Sequence, residues 1–241
     1  MIRRLAPQPI VFAHRGAHQR ARENTISAFQ AGINQGATGL ESDVWLASDG
    51  VPVLVHDGTV VHGTRQAPVT AISSVDLERI GIPTLNRLYG KVTSEYELSL
   101  DLKDPAALSA TLDVAAAANR VGHLWVCHPS IDVLVLGRDV SHDVRLVCTP
   151  SPSLGDGALE AVARGLSGMA GDALSLYWRT WTPALVEMVH GAGLLAFGYH
   201  AHTAEGMTHL IGLRVDGIYT DDVPELLTLM SSFGPDARVH P

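Results

Sequence analysis

Short apolar runs alternate with helix-like segments along the chain, and this alternation limits the fold more than any other feature of the sequence. The eight runs lie at 10–13, 39–45, 96–102, 123–127, 144–148, 173–178, 194–199 and 217–219. The helix-like segments lie at 25–35, 105–119, 131–136, 157–164, 183–190, 204–211 and 223–231. Such alternation in 241 residues predicts an α/β fold, a (β/α)8 TIM barrel, which typically takes about 250 residues. A doubly wound open sheet is the alternative, but no Gly-x-Gly-x-x-Gly motif follows the first run, which disfavours its dinucleotide-binding form.

No Ser/Gly-rich or Pro-rich linker divides the chain, so we predict a single domain over residues 1–241. The alternation is interrupted once, by an extended piece at 51–56 and a loop that reaches Thr84. We therefore expect a short insertion at about residues 57–83, directly after the second strand.

The composition excludes several classes of protein. With 46% hydrophobic and 17% charged residues, the chain can build a large core, so we do not expect disorder. A net charge of −8 is a poor match for nucleic acid or for an anionic membrane surface. A local cluster of cations or a bound metal can still hold a phosphate-bearing small molecule. The sequence makes no prediction of oligomeric state.

The chain shows no signal for export. The N-terminal residues lack the apolar stretch of a secretory signal, and no run approaches the length that spans a bilayer. The two cysteines, Cys127 and Cys148, lie in apolar runs outside any Cys-x-x-Cys pair, so we expect small buried hydrophobic residues and no disulfide or zinc site. We predict a cytoplasmic protein without stable membrane insertion.

Titratable side chains gather where the first strands of the predicted barrel end, which is where barrel enzymes carry their active sites. The residues are His14 and Arg15 after the first run, Glu41 and Asp43 in the second, His56 after the extended piece, and Asp101 and Lys103 in and after the third.

Glu41 and Asp43 are two residues apart on a strand, so both side chains lie on one face. Asp101, on the neighbouring strand, can reach the same point. Three converging carboxylates form a hard, all-oxygen site for Mg²⁺ or Ca²⁺. The alternative is a solvated strand edge, which is disfavoured because apolar residues such as Leu40 and Val44 flank the acids and acids inside apolar strands need a partner.

His14 and His56 each close an apolar strand beside this acid cluster. Two histidines flanking a metal-bound phosphate can act as general base and general acid near neutral pH. The alternative is a structural role, since the chain has 12 histidines. Arg15 and Lys103 supply positive charge for a phosphate oxygen, or form salt bridges to the nearby carboxylates, or both.

The segment from Phe12 to Asp57 resembles the glycerophosphodiester phosphodiesterase family, which opens with an HRG triplet, an ENT motif, a Glu-x-Asp pair and a D-G-x-x-V-x-x-H-D ending. All four stand here in that order. The resemblance continues with Ile82-Pro83-Thr84-Leu85, with 98–103 and with VDGIYTD at 215–221, while 104–190 carries little diagnostic signal.

The resemblance implies a barrel enzyme that uses a divalent metal to hydrolyse glycerophosphodiesters, such as glycerophosphocholine or glycerophosphoethanolamine, to glycerol 3-phosphate and an alcohol. By the same resemblance, His14 and His56 correspond to the family's catalytic histidines, and Arg15 corresponds to its phosphate-binding arginine. The family's metal ligands correspond to Glu41, Asp43 and Asp101, and Lys103 corresponds to the lysine two residues after the third ligand. Glu23 of the ENT triplet is expected to order the first loop. The sequence assigns neither the acid and base roles nor the attacking group, which is water or the glycerol 2-hydroxyl.

Four departures from the family pattern bear on the substrate. Asp101 replaces the usual Glu and forms an Asp-x-Lys like that of sphingomyelinase D enzymes. His62-Gly63-Thr64-Arg65 replaces an Arg-x-Thr element, the segment at 57–83 is short, and Tyr199-His200-Ala201-His202 replaces Trp-Thr-x-Asn, with Tyr199 still expected to wall the pocket. A phospholipase D or sphingomyelinase D-like activity on lipids is therefore the alternative function. A non-catalytic phosphodiester-binding barrel is a further one, which the seven intact matched positions disfavour.

Overall fold

Eight parallel strands close into a barrel in the computed structural model, which describes residues 8–233. The strands are β1 (Ile10–Ala13), β2 (Gly39–Leu46), β3 (Pro52–Leu54), β4 (Thr59–His62), β5 (Arg65–Pro68), β6 (Glu97–Leu102), β7 (Leu124–His128), β8 (Arg145–Cys148), β9 (Ala173–Tyr177), β10 (Leu195–Tyr199) and β11 (Gly217–Thr220). The α-helices are α1 (Ile26–Asn34), α2 (Ser74–Arg79), α3 (Leu85–Lys91), α4 (Leu108–Ala117), α5 (Ile131–Val140), α6 (Asp156–Gly168), α7 (Pro183–Gly191), α8 (Ala204–Gly212) and α9 (Val223–Phe233). Residues 1–7, part of the segment on which the targeting prediction rests, lie outside this range.

The barrel runs β1, β2, β6, β7, β8, β9, β10, β11, and it is closed because β1 pairs in parallel with both β2 and β11. The predicted TIM barrel is therefore confirmed, and the open-sheet alternative is wrong. Each of the eight apolar runs became a barrel strand, with ends within one residue of the prediction. These runs were readable because strands of a parallel sheet are buried on both faces and so are continuously apolar.

The insertion after the second strand is folded, and the expectation of a loop reaching Thr84 is wrong. Strand β3 pairs antiparallel with the end of β2, and β4 and β5 form a separate hairpin. A 3₁₀ turn (Val69–Ala71) and α2 follow, and α3 begins directly after Thr84. A small apolar cluster of its own holds this part together; its buried members are Ala47, Val53, Val69, Ile72, Leu77 and Ile82. The helices α2 and α3 escaped prediction because each has only six or seven residues, too few for a clear helical period.

The interior of the barrel is filled by an aromatic layer. Phe12 stacks on Tyr219 with ring centroids 4.6 Å apart, and Trp125 contacts Phe197 at 5.1 Å. Val11 and Ala13, the neighbours of Phe12 in β1, belong instead to the large cluster between strands and helices, as alternation along a strand requires. The barrel interior is therefore a packed core below the polar residues at the carboxyl ends of the strands.

The loop after β1 depends on a glycine. Gly16 has φ +77°, and a Cβ at this position would lie 2.5 Å from the backbone carbon of Ala28 in α1. Thr25 begins α1 as its N-cap, with its side chain accepting a hydrogen bond from the Ala28 N–H. The HRG loop thus packs backbone against backbone on the first turn of α1, which sets the positions of His14 and Arg15.

We expect Gly16→Ala to destabilise the protein far more than Gly50→Ala. Both glycines have φ +77°, but nothing lies within 4 Å of a Cβ at Gly50. The Gly50 variant therefore shows only the conformational cost of a left-handed residue, about 1–2 kcal/mol, while the Gly16 variant adds a backbone clash. Denaturant unfolding of both variants measures the difference. Equal losses of stability would mean that the loop does not need this close contact.

Candidate active site

The strand register brings the predicted acids together. Asp43 in β2 lies directly beside Asp101 in β6, and Glu41 lies beside Ser99, so all four side chains share the inner face near the carboxyl end of the barrel. Glu41 and Asp43 are buried, at 8% and 2% exposure. Two buried carboxylates this close need nearby positive charge or a proton.

The ENT triplet holds Arg15 over these acids. The backbone N–H of Arg15 donates to Glu41 Oε2 at 2.9 Å, its Nη1 donates to the Glu23 carboxylate at 3.2 Å, and its Nε lies 3.8 Å from Asp43 Oδ2. Asn24 donates from its side chain to Asp43 at 3.3 Å and accepts from the Ser42 hydroxyl at 2.7 Å. Arg15 and Asn24 both adopt left-handed backbone conformations, with φ of 54° and 53°, and these hydrogen bonds offset that strain. Glu23 thus contacts Arg15, as expected of a residue that orders this loop.

Lys103 lies between two of the acids. Its Nζ is 2.7 Å from Asp101 Oδ2 and 3.1 Å from Asp43 Oδ1. Burial lowers the pKa of Lys103, but the charges and hydrogen bonds of Asp101 and Asp43 outweigh it and raise the pKa above its usual value. The salt-bridge role considered for Lys103 is therefore present in this conformation.

Glu41 is the acid that this crowding affects most. Burial raises the pKa of Glu41 to about 8, and the charges of Asp43 and Asp101 act in the same direction against those of His14 and the Arg15 N–H. Without a bound cation, burial and the neighbouring acids favour the protonated form of Glu41.

His14 is oriented by Asp221, which follows β11. Nδ1 of His14 is 2.7 Å from Asp221 Oδ1, and Nε2 lies 3.9 Å from Glu41 Oε2. Burial lowers the pKa of His14, but the charges of Glu41 and Asp221 and the hydrogen bond to Asp221 raise it above its usual value. Burial would raise the pKa of Asp221, yet close contacts with His14 and His202 hold it well below its usual range.

His56 also has a carboxylate partner, because its Nδ1 lies 2.8 Å from Asp57 Oδ1. The two histidines differ in exposure: the His56 side chain is 38% exposed and that of His14 is 22%. His56 stands at the mouth of the barrel on the segment after β3, whereas His14 is tied into the barrel end. The two rings therefore have matching partners but different access to solvent.

All eight predicted site residues line one cavity of about 280 Å³; they are His14, Arg15, Glu41, Asp43, His56, Asp101, Lys103 and Tyr199. The other lining residues are Ser99, Cys127, Thr149, Ser175, His200, His202 and Tyr219. Ser99 Oγ lies 2.9 Å from the Tyr219 hydroxyl and 3.2 Å from Cys127 Sγ, so the floor is polar although its residues belong to the barrel core. Cys127 and Cys148 are free and buried, as predicted.

Asp221 and His202, which were not among the predicted site residues, form a second group of side chains with His14. His14, His202 and Asp221 bring one ligand atom each within 4.8 Å of one another, which makes them a candidate metal site, the one such group among residues 8–233. The predicted ligands Glu41, Asp43 and Asp101 are not brought this close together in the present conformation, in which Lys103 forms ion pairs with Asp43 and Asp101. A metal site at these three acids stays a prediction. The signal for the second group was present in VDGIYTD, which ends in Asp221, and in the unusual histidines of Tyr199-His200-Ala201-His202.

We predict that Glu41→Gln changes how the stability of the metal-free protein depends on pH. Glu41 titrates near 4.5 when unfolded and at about 8 when folded. The folded protein therefore binds this proton more tightly, and the free energy of unfolding falls as pH rises through that window, by at most about 1.4 kcal/mol per pH unit for one proton. Gln carries no charge, so the melting temperature of the variant should rise relative to wild type between about pH 5 and pH 8.

Thermal melts in a chelator-treated buffer measure this difference, and Glu187→Gln on the exposed face of α7 is the matched control. A difference between Glu41→Gln and wild type that stays constant with pH would show that Glu41 does not carry the extra proton.

Comparison with known proteins agrees with this geometry. Residues 14–125 match the glycerophosphoryl diester phosphodiesterase family. A glycerophosphodiester phosphodiesterase of Caldanaerobacter subterraneus subsp. tengcongensis is 27% identical over 246 residues, covering 93% of this chain and 99% of that protein.

Two solved structures share the fold at lower identity. The glycerophosphodiester phosphodiesterase of Thermotoga maritima superposes with a TM-score of 0.80 at 21% identity, covering 92% of this chain and 98% of that one. A phosphodiesterase of Oleispira antarctica, solved in complex with the product sn-glycerol-3-phosphate, superposes with a TM-score of 0.76 at 18% identity, covering 93% and 97%. The ordered motifs, the match over residues 14–125 and these relatives make the chain similar to glycerophosphodiester phosphodiesterases, and the barrel is the fold that it shares with the solved structures.

Proposed function

We propose that the chain acts as a single barrel domain that hydrolyses small glycerophosphodiesters, such as glycerophosphocholine or glycerophosphoethanolamine, to glycerol 3-phosphate and an alcohol. The observation that carries this proposal is the convergence of two histidines, three acids, Arg15 and Lys103 on one cavity of about 280 Å³. The product bound in the Oleispira antarctica neighbour supports glycerol 3-phosphate as the product here.

A divalent metal, Mg²⁺ or Ca²⁺, is part of the proposal, with Glu41, Asp43 and Asp101 as its ligands. The fit rests on the donor set, which is all oxygen, and on the raised pKa of Glu41, because such crowded acids favour a cation. When bound, the ion neutralises charge on a phosphate oxygen and orients the diester. Lys103, whose long side chain can turn from Asp43 and Asp101, and Arg15 then contact the remaining phosphate oxygens. Both hold the transition state better than the substrate, because negative charge grows on the phosphoryl group.

His14 and His56 carry the protons. Asp221 accepts from Nδ1 of His14, which leaves Nε2 free on the side of Glu41 to take a proton from the attacking hydroxyl, of glycerol or of water. Cation binding on the acids offsets the charge of Glu41, one of the groups that raise the pKa of His14, and so favours the neutral ring that accepts a proton. His56, held by Asp57, gives its proton to the departing alcohol.

The surroundings of the cavity favour small, polar substrates. Ser99, Thr149 and Ser175 offer hydroxyl groups to a glycerol moiety, and Tyr199 presents a ring with a polar edge to the head group. No helix within residues 8–233 is long and apolar enough to cross a membrane. The proposal includes a cytoplasmic location, which two free cysteines favour because a reducing compartment keeps thiols unpaired.

Release of glycerol 3-phosphate tests the proposal. Purified protein is given glycerophosphocholine or glycerophosphoethanolamine with Mg²⁺ or Ca²⁺, and with EDTA as the negative control. We expect metal-dependent release with little discrimination between the two head groups. A strong preference for sphingomyelin or lysolipid would make the enzyme sphingomyelinase D-like, and binding without turnover of any diester would make it a non-catalytic barrel.

We predict that Asp43→Asn abolishes this activity and the stabilisation by metal. An ion at 100 times its Kd stabilises a protein by about 2.7 kcal/mol, which for a chain of this size raises Tm by about 5–10 °C. Wild type and the control Asp113→Asn, on the exposed face of α4, should show this shift with saturating Mg²⁺ or Ca²⁺. Equal shifts in Asp43→Asn would remove Asp43 from the ligand set.

The two histidines are separated by a change of leaving group. A nitrophenol departs without help from an acid, whereas an aliphatic alcohol needs a proton, and such groups typically contribute about 10²–10⁴-fold. His56→Ala should lose a factor in that range with glycerophosphocholine and much less with a nitrophenyl phosphodiester. His14→Ala should lose activity with both. The reverse pattern would exchange the two roles, and equal losses on both substrates would make His56 a residue that positions phosphate.

A further inference from the structure

The candidate metal group beside the acids lies at the ends of three adjacent strands. His202 follows β10, Asp221 follows β11 and His14 follows β1, and these strands are neighbours in the barrel. Asp221 bridges the two rings: its Oδ1 lies 2.7 Å from His14 Nδ1 and its Oδ2 lies 2.9 Å from His202 Nδ1. The three side chains therefore already surround a common point.

Nδ1 of His202 faces the Asp221 carboxylate without an aligned hydrogen bond. Its Nε2 lies 2.9 Å from His200 Nδ1, so the ring is held by its neighbour. Its Nδ1 is buried and, although close to Asp221, makes no hydrogen bond to any residue in the described part of the chain. When Nε2 carries the proton and donates it to His200, Nδ1 turns a lone pair towards a carboxylate oxygen. A cation removes this repulsion, and a histidine that ligates a metal is typically fixed by such a hydrogen bond from its other nitrogen.

A second buried nitrogen points to the same place. Nδ1 of His18 lies 3.7 Å from Asp221 Oδ1 and has no hydrogen-bond partner within residues 8–233. Asp221 therefore has three imidazole rings around one carboxylate. Two of the nitrogens that face it have no partner that satisfies them.

The donor chemistry separates this group from the carboxylate cluster. Glu41, Asp43 and Asp101 offer only oxygen, which suits Mg²⁺ and Ca²⁺. His14, His202 and Asp221 offer two imidazoles and one carboxylate, a set that suits Zn²⁺ and similar transition metals and that Mg²⁺ binds poorly. We propose that His14, His202 and Asp221 form a second, separate metal site that binds an ion of the Zn²⁺ class and thereby inhibits the enzyme.

Inhibition follows from the chemistry of the imidazole. A neutral ring has one proton and one lone pair. When an ion takes the lone pair of His14 at either nitrogen, the other nitrogen keeps the proton, so His14 can no longer accept one. The binding claim stands apart from the proposed function, whereas the inhibition rests on the role proposed there for His14.

Zinc binding is measured first, by calorimetry on the full chain after treatment with EDTA and in the presence of excess Mg²⁺. We expect one Zn²⁺ per chain that Mg²⁺ does not displace. His202→Ala should weaken Zn²⁺ at least about tenfold, the low end of what even an outer partner contributes to a metal site. Asp43→Asn should leave Zn²⁺ affinity intact, and His142→Ala, an exposed histidine after α5, is the matched control. If His202→Ala fails to fold, His202→Gln replaces it.

Inhibition is measured second, as the Zn²⁺ concentration that halves each protein's own zinc-free rate with glycerophosphocholine and Mg²⁺. This concentration should rise in His202→Ala by the same factor as the Kd. The proposal would be overturned if His202→Ala left the zinc affinity unchanged. It would also be overturned if Mg²⁺ or Asp43→Asn removed zinc binding, because the ion would then lie in the carboxylate cluster. Tight binding that His202→Ala weakens, without inhibition of an active enzyme, would keep the site and overturn its effect on His14. If the chain hydrolyses no diester, calorimetry alone decides the site, so the two proposals fail separately.

Discussion

The site is organised by the repulsion among acids that the barrel forces together. Register places Asp43 beside Asp101 and keeps Glu41 on the same inner face, and burial strengthens every interaction among them. Each neighbouring group supplies a compensating charge or proton. Lys103 contacts two of the acids, the Arg15 N–H contacts the third, and burial raises the pKa of Glu41 so that its protonated form is favoured. This need of buried acids for positive charge is the physical basis of the proposed metal site.

The loop after β1 shows how this arrangement is held. Arg15 and Asn24 have strained, left-handed backbone conformations, and both residues donate hydrogen bonds to the acids. Gly16 allows the same loop to pack directly on α1. Within this loop the strain therefore falls on the two residues that contact the carboxylates, and those contacts offset it.

The barrel divides its interior between packing and chemistry. Phe12, Trp125, Phe197 and Tyr219 fill the inside, and the Tyr219 hydroxyl joins Ser99 at the floor of the cavity. Above that floor, His14, His202 and Asp221 offer two imidazoles and one carboxylate. The strands that carry Glu41, Asp43 and Asp101 offer only carboxylates. One side of the mouth is rich in oxygen donors and the other in nitrogen donors. The two donor sets favour different classes of cation, which is the basis of the proposed second metal site.

Much of this protein was determined by local sequence. The eight strands were readable because parallel strands are continuously apolar. Seven of the eight predicted site residues line one cavity because parallel strands bring their carboxyl ends to the same edge, and His56 joins them from the segment after the antiparallel β3. The pairing of Asp43 with Asp101 followed from the same geometry. Tertiary structure decided what no local pattern encodes. Asp221 meets His14 across 207 positions of the chain, a contact that only closure of the barrel between β11 and β1 creates. The folded insertion, the ion pairs of Lys103 and the histidines around Asp221 likewise depend on which loops meet in space. Strand identity is a property of a few adjacent residues, whereas charge pairing at the barrel mouth is decided by neighbours that are distant in sequence.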